Sequence, residues 1–348
     1  MNDIGIAQAD NAAREQYYGE IRPLNLAPLW SVLKGLVPAQ PMPAAKPCKW
    51  AWNDVYPQLL RAGGLISAEE AERRVLVLEN PGLPGKSQIT DTLYAGLQLI
   101  LPGETAPAHR HTQSALRFVL HGSGAYTAVD GEKTPMQRGD FIITPHWTWH
   151  DHGHEGNEPV VWVDGLDVPL VTFLRAGFRE EYTQKAQTTT HAAGESAARF
   201  GSGLLPLDHV PHGLTSPLFS YPYARSREAI EVQARSADPD LHLGVCLRYV
   251  NPVTGGWAMP TIGTVLRYYP RGFTTRPYRS TDSTVLVGLE GEAEIRVAGI
   301  GMRIGPNDIV AVPGWSEWTV AARQDTVVFS YSDRPVHEKL GLLRELRG

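Results

Sequence analysis

The stretch GETAPAHRHTQSALRFVLHG, residues 103–122, followed by GDFIITPHWTWHDHGH, residues 139–154, decides how this chain is read. Both pieces are framed by glycine and carry apolar runs of strand length, too short for a helix. In a strand, residues i and i+2 share a face. His109 and His111 can therefore converge on one ion, and His150, beyond the turn-strand unit 139–145, can arrive from a neighbouring strand. An isolated His-x-His is commonly a solvated strand. Here a third His stands in the right place, and His109, His111, His121, His146, His150, His152 and His154 make up more than half of the twelve His in the chain. Neutral imidazole suits Fe, Zn, Cu and Ni, so the expectation is one divalent metal ion held by His109, His111 and His150 inside a small β-barrel.

Outward from this core the pattern stays β. The runs VLVLEN, TLYAGLQLI, SALRFVLHG, GAYTAVDG, GDFIITP and VVWVDGLDVP begin near Arg74 and are separated by Gly, Pro, Asn and Asp turns, as in an antiparallel sandwich or barrel. From about residue 241 the pattern returns, and the return is a repeat. His109-Arg-His-Thr-Gln-Ser114 aligns with Tyr278-Arg-Ser-Thr-Asp-Ser283, keeping Arg110/Arg279, Thr112/Thr281 and Ser114/Ser283. Gly122 corresponds to Gly291, and Asp140, Pro145 and Trp147 recur as Asp308, Pro313 and Trp315. The three candidate ligands do not recur: Tyr278, Ser280 and Trp318 replace them together. The His residues are thus not required by barrel packing. The chain divides into an N-terminal helical segment (1–72), a metal-binding barrel (73–175), a connection (176–238) and a degenerate second barrel (239–348). The connection is read as mobile, because 184–203 is rich in Thr, Ala, Ser and Gly.

Composition narrows the partners. The 348 residues carry a net charge of −5 with 42% hydrophobic and 20% charged residues, a globular balance with no basic stripe, so nucleic acid is not expected. The N-terminus has no signal-peptide pattern and no apolar run approaches the roughly 20 residues of a membrane span. Two cysteines, Cys48 and Cys246, are too few for a disulfide framework. A cytoplasmic protein without membrane contact is expected.

The motifs Gly103-x5-His109-x-His111-x10-Gly122 and Gly139-x5-Pro145-x4-His150 resemble the two motifs of the cupin superfamily. Many cupins add a Glu four or five residues after the second His, whereas Ala115 and Leu116 stand here. Three His leave about three octahedral positions open, enough for a bidentate substrate and dioxygen. The runs RRVLVLENPGL (73–83), TLYAGLQLILPGETAPAHRHTQSALRF (92–118), YTAVDGEKTPMQRGDFIITPHWTWHDHG (126–153) and RYVNPVTGG (248–256) resemble the gentisate 1,2-dioxygenase family. That family also includes salicylate and 1-hydroxy-2-naphthoate dioxygenases. The resemblance implies a mainly β bicupin with N-terminal helices and one Fe(II) per chain in the N-terminal cupin. It further implies a homo-oligomer, a homotetramer by likeness, and ring opening of gentisate to maleylpyruvate with O2. Salicylate, a substituted salicylate or 1-hydroxy-2-naphthoate is the alternative substrate; a bicupin that only binds a ligand is the alternative of another class.

An ortho-hydroxybenzoate is an anion, and the guanidinium fork matches its carboxylate. Arg117, i+6 from His111, shares the ligand face, and its counterpart is the apolar Leu286. The resemblance points to Arg73 as a second substrate-binding Arg, with Arg74 beside it as the competing choice. His152, i+2 from His150, faces the same way and is the candidate acid/base residue. Gln98 and Asp164, which the resemblance also implies, sit at alternating positions in apolar strands, and Tyr94 shares Gln98's face. His121, His146 and His154 are set aside, and Trp147 and Trp149 are read as core or pocket wall.

Overall fold

The computed structural model describes residues 3–210 and 213–348. In chain order the strands are β1 (Cys48–Trp50), β2 (Val75–Val77), β3 (Tyr94–Ile100), β4 (Thr105–His111), β5 (Ala115–His121), β6 (Ser123–Val129), β7 (Glu132–Gln137), β8 (Phe141–Thr144), β9 (His150–His154), β10 (Val160–Leu166), β11 (Arg179–Glu181) and β12 (Ser220–Tyr221). The second set comprises β13 (Val245–Arg248), β14 (Gly263–Tyr269), β15 (Tyr278–Ser280), β16 (Thr284–Glu290), β17 (Ala293–Val297), β18 (Ile300–Ile304), β19 (Ile309–Val312), β20 (Trp318–Ala322), β21 (Thr326–Ser332) and β22 (Glu345–Arg347). Helices α1 (Asp3–Ile21) and α2 (Leu29–Leu36) belong to a compact unit that ends at Met42. Helices α3 (Trp52–Leu65), α4 (Ala68–Ala71), α5 (Val168–Phe173), α6 (Glu195–Phe200), α7 (Tyr223–Ser236) and α8 (Arg334–Lys339) belong to the second unit, which holds every strand. No described helix is long and apolar enough to cross a membrane.

The repeat seen in the sequence is a repeat of topology. One barrel pairs the sheet β12-β8-β5-β10-β3-β2 with β11-β4-β9-β6-β7; the other pairs β1-β19-β16-β21-β14-β13 with β18-β17-β20-β15-β22. Each strand of one barrel has its counterpart in the other, down to the outermost strands. The edge strand β1 comes from the N-terminal side of the first barrel yet completes the second, pairing Cys48 with Ala311. Trp50 closes this strand, inside the segment 1–72 that was expected to be helical. The segment 176–238 contributes β11 and β12, one to each sheet of the first barrel.

The retained residues have physical reasons. Gly122 and Gly291 both lie in the left-handed region (φ 81° and 68°), and a Cβ there would meet the carbonyl of Pro159 at 2.3 Å or Asp325 at 2.1 Å. Only glycine fits such a crossing. Trp147 and Trp315 share φ 60° and donate their N–H groups to His111 O and Ser280 O, so each strained turn is tied to the strand carrying the ligand positions. The reading of Trp147 and Trp149 as core or pocket wall is corrected here. Both are half-buried and sandwich the Arg110 guanidinium, 4.5 Å from each ring. This cation–π stacking explains why Arg and Trp persist together as Arg279 and Trp315.

The largest core lies between the barrels. Leu97, Leu99, Leu116, Phe118, Phe141 and Val163 of the first pack with Val285, Val287, Phe329 and Tyr331 of the second, and Leu59 of α3 and Ile230 of α7 join them. Phe118 and Phe329 stack at 4.0 Å. Each such side chain, fully buried, contributes about 1.5–3 kcal/mol. A separate small core, including Val119, Ile142, Val160 and Trp162, fills the first barrel. Strands β5 and β10 therefore have both faces covered and are buried at every position except their last residue.

Candidate metal and substrate site

Strands β4 and β9 run antiparallel with His109 opposite His150. That register, with the i, i+2 rule, brings His109, His111 and His150 together. Their ligand atoms lie within 4.8 Å of one another, and this is the one such cluster among the described residues. The ring centroids are 4.4–5.3 Å apart. His150 is 1% and His109 8% exposed.

The imidazoles are prepared for a cation. His111 Nδ1 donates to Gln113 O (2.9 Å) and His150 Nδ1 to Thr148 O (3.1 Å), each of which leaves Nε2 with a free lone pair. At His109 two groups compete for Nδ1: Arg73 Nη2 at 2.7 Å and the Pro107 carbonyl at 3.4 Å, of which only the carbonyl suits a proton on Nδ1. Burial first, then the neighbouring Arg73, pushes His109 down to about 2, and burial pushes His111 down to about 4. His150 is driven well below the usual imidazole range by burial and by Arg117. All three are neutral at physiological pH, as a soft-to-borderline cation requires. Donor type and protonation state fit a first-row divalent ion at all three, and lone-pair direction fits at His111 and His150 and, with the proton on Nδ1 toward Pro107 O, at His109. Because the folded-state values are depressed, protons compete for these ligands only as the pH falls toward about 4, and not near 6.5. Metal content measured after dialysis should therefore stay constant from neutrality down to about pH 5. Loss beginning near pH 6.5 would contradict this arrangement.

In front of the triad opens a cavity of about 350 Å³ lined by Arg73, Tyr94, Gln98, Arg117 and Asp164, with Glu72 and Arg179 among its other wall residues. Eight of the nine sequence-derived candidates thus surround one space. The ninth, His152, is fully buried, with its ring 6.2 Å from that of His150, and is not part of the lining. The choice between the adjacent arginines is resolved by direction. Arg74 turns away into a bidentate pair with Glu104 (2.8 and 2.9 Å), while Arg73 faces the cavity.

Arg117 is 3% exposed, donates to Thr144 Oγ1 and stands 3.5 Å from Asp164 Oδ1, an ion pair without a good hydrogen bond. Asp164 accepts from Trp162 Nε1 at 2.9 Å, and burial raises its carboxyl above the ordinary range while Arg117 opposes that rise. Three buried polar atoms here have no hydrogen-bond partner: Arg73 Nη1, Arg117 Nε and His152 Nε2. Leaving such groups unpaired costs about 1–3 kcal/mol each. Ala71, Glu72, Val75, Ala115, Leu166, Val168 and Arg179 complete the wall, and none of them was a site candidate in the sequence reading. For Val75, Ala115 and Leu166, strand parity was an available signal; for Arg179, in a three-residue strand, there was none.

The second barrel replaces this site with packing. Tyr278 and Trp318 meet edge to face at 6.0 Å within an apolar core that includes Leu286, the counterpart of Arg117, and Val320, the counterpart of His152. Across its mouth, Arg334 pairs with Glu345 (3.1 Å), which also accepts from the Tyr278 hydroxyl. Glu345 stands opposite Ser280 on β22, where Arg179 stands opposite His111 on β11.

Known proteins resemble this chain. The Cupin domain family matches residues 96–168. A gentisate 1,2-dioxygenase of Aquipseudomonas alcaligenes is 48% identical over 96% of both chains. A 5-aminosalicylate 1,2-dioxygenase of a Comamonas species is 35% identical, over 92% of this chain and 87% of its own. Among solved structures, a salicylate 1,2-dioxygenase of Pseudoaminobacter salicylatoxidans in adducts with gentisate superposes with a TM-score of 0.91 and 32% identity, covering 96% of this chain and 94% of that one.

Proposed function

The chain belongs to the gentisate 1,2-dioxygenase family of cupin proteins, and from that membership we propose that it opens the ring of gentisate between the carboxyl-bearing carbon and the adjacent hydroxyl-bearing carbon, adding both atoms of O2 to give maleylpyruvate. One observation carries the reading: three neutral imidazoles end a cavity whose other walls include the guanidinium side chains of Arg73 and Arg117. The volume of about 350 Å³ suits a single-ring acid.

Fe(II) is the proposed ion, one per chain at His109, His111 and His150, and when bound it supplies electron transfer between the aromatic ring and O2. The protein's own groups orient the substrate. Arg73 and Arg117 supply the positive charge for the carboxylate from the cavity wall, and Asp164, 3.5 Å from Arg117 Nε, keeps that guanidinium charged and aimed. Tyr94 and Gln98 bound the ring edge from β3. His152 is the proposed acid/base residue. Thr127 Oγ1 donates to Met136 Sδ (3.6 Å), so it accepts from His152 Nδ1 (3.0 Å), and Nε2 keeps an unshared lone pair in the layer behind His150. Neutrality of His152, enforced first by burial and then by Arg117, suits a proton acceptor.

We further propose a homo-oligomer, by likeness a homotetramer, supported by the exposed Leu29, Trp30, Leu33 and Leu36 of α2, and a cytoplasmic setting, supported by the free thiols of Cys48 and Cys246. The substrate is tested by oxygen uptake of the Fe(II)-loaded protein with gentisate, salicylate and 1-hydroxy-2-naphthoate. Gentisate should give the highest kcat/KM, with one O2 consumed per ring and a product heavier by one O2. Preference for salicylate would move the protein to the other branch of its family, and no uptake with any of the three acids would remove the enzymatic reading.

A further inference from the structure

The first barrel's cavity holds three guanidiniums at graded depth. Arg117 is 3% exposed, Arg73 is half-buried, and the side chain of Arg179 is 51% exposed. All three line the same space. Arg179 comes from β11, whose register sets it directly opposite the ligand His111, so it is fixed at the entrance and not on a free loop. Burial, then Arg117 and, less strongly, Arg179 push the Arg73 guanidinium down to about 9, which places Arg73 within the field of both neighbours. Two cations are thus already committed inside, and a third stands between them and solvent.

Arg179 is held by partners that are weakly bound. It contacts Glu72 and Glu181 at 2.8 Å each, and the side chains of both acids are about 60% exposed (60% and 62%). Exposed ion pairs of this kind contribute about 0–1 kcal/mol. Glu72 also sits at φ 52°, ψ −50°, a conformation that L residues rarely adopt and that costs roughly 1–3 kcal/mol. Breaking so exposed a pair costs little, so an incoming carboxylate competes for Arg179 against weakly held partners. A structural latch would be built the other way, from buried partners on relaxed backbone, as Arg74 and Glu104 are.

We propose that Arg179 is the capture residue for the substrate carboxylate, exchanging Glu72 for the incoming aromatic acid at the mouth before Arg73 and Arg117 receive it inside. Glu72 is then a carboxylate mimic that occupies the guanidinium between turnovers. This rests on the reading of the cavity as a site for a hydroxybenzoate-type anion. Capture by a charge at the mouth acts on the association rate and is screened by salt.

The test is stopped-flow mixing of the Fe(II)-loaded protein with gentisate, and separately with salicylate, under anaerobic conditions at low and high ionic strength. Arg179→Gln should lower kon by about tenfold at low salt and flatten its salt dependence, with koff little changed; the loss appears in KM rather than in kcat. Glu72→Gln should act in the opposite sense, raising kon severalfold. A latch would make both variants shift in the same direction. Equal kon for wild type and Arg179→Gln, or a fall in Glu72→Gln matching that in Arg179→Gln, overturns the proposal. So does failure of the wild type to bind either acid. Binding with the expected pattern but no oxygen uptake on gentisate overturns only the substrate assignment.

Discussion

His109→Ala is expected to leave the folded protein without a stably bound metal ion and without measurable ring cleavage. A protein metal site is worth on the order of 10 kcal/mol, and removal of one of three ligands takes away roughly a third of it. At about 1.4 kcal/mol per factor of ten, affinity falls by two to three powers of ten. The fold should survive. The second barrel retains the same strands with Tyr278, Ser280 and Trp318 at the three positions, so the scaffold does not depend on imidazoles there. Metal analysis after gel filtration, with circular dichroism as the folding control, checks both halves of this expectation. A variant that keeps one ion per chain would show that His109 is not a ligand.

Arg117→Leu is expected to separate substrate binding from metal binding. The substitution places at β5 the residue its counterpart β16 carries, Leu286, so strand packing tolerates it. It removes the partner of Asp164 and leaves the incoming carboxylate without its deepest cation. Loss of one member of a buried charge pair costs about 2–5 kcal/mol, so affinity for gentisate should drop by thirtyfold or more while iron stays at one per chain. Burial already raises the Asp164 carboxyl, and without Arg117 that rise is unopposed by its main cation. The free carboxyl should then take up a proton at a higher pH than in the wild type, observable by infrared titration. Isothermal titration with gentisate and metal analysis of the same sample decide the matter; loss of iron would mean that Arg117 supports the ligands and not the substrate.

The clustering of His109, His111 and His150 was legible because it rests on one rule of strand geometry, the period of two, applied at His109/His111 and carried to His150 by a neighbouring strand. The second copy supplied the contrast that separates function from packing, since Arg110, Gly122 and Trp147 recur and the His do not. Gly122 recurs because a carbonyl passes where its Cβ would be, and Trp147 because Arg110 stacks on it. The same period could not distinguish inner from outer faces along β5 and β10. These strands are sandwiched between the barrel interior and the shared core, so apolar residues occupy both sides. It also placed His152 on the cavity wall, whereas the ring lies behind it against Trp162, 5.2 Å away. Arg179 and Glu72 were hidden for another reason. Their position at the mouth is set by the long-range pairing of β11 with β4 and by a single left-handed residue after α4. Neither leaves a periodic trace. The pairing of β1 with β19, across most of the chain, was invisible in the same way.

The central claim is that one ion binds per chain, at the His109, His111 and His150 cluster of the first barrel. Anaerobic titration of the metal-stripped protein with Fe(II), followed to saturation, tests it most directly. The expected result is one Fe(II) per chain in the wild type and in Tyr278→Ala, and none retained in His150→Ala. Saturation at two per chain, or an unchanged single site in His150→Ala, would contradict it.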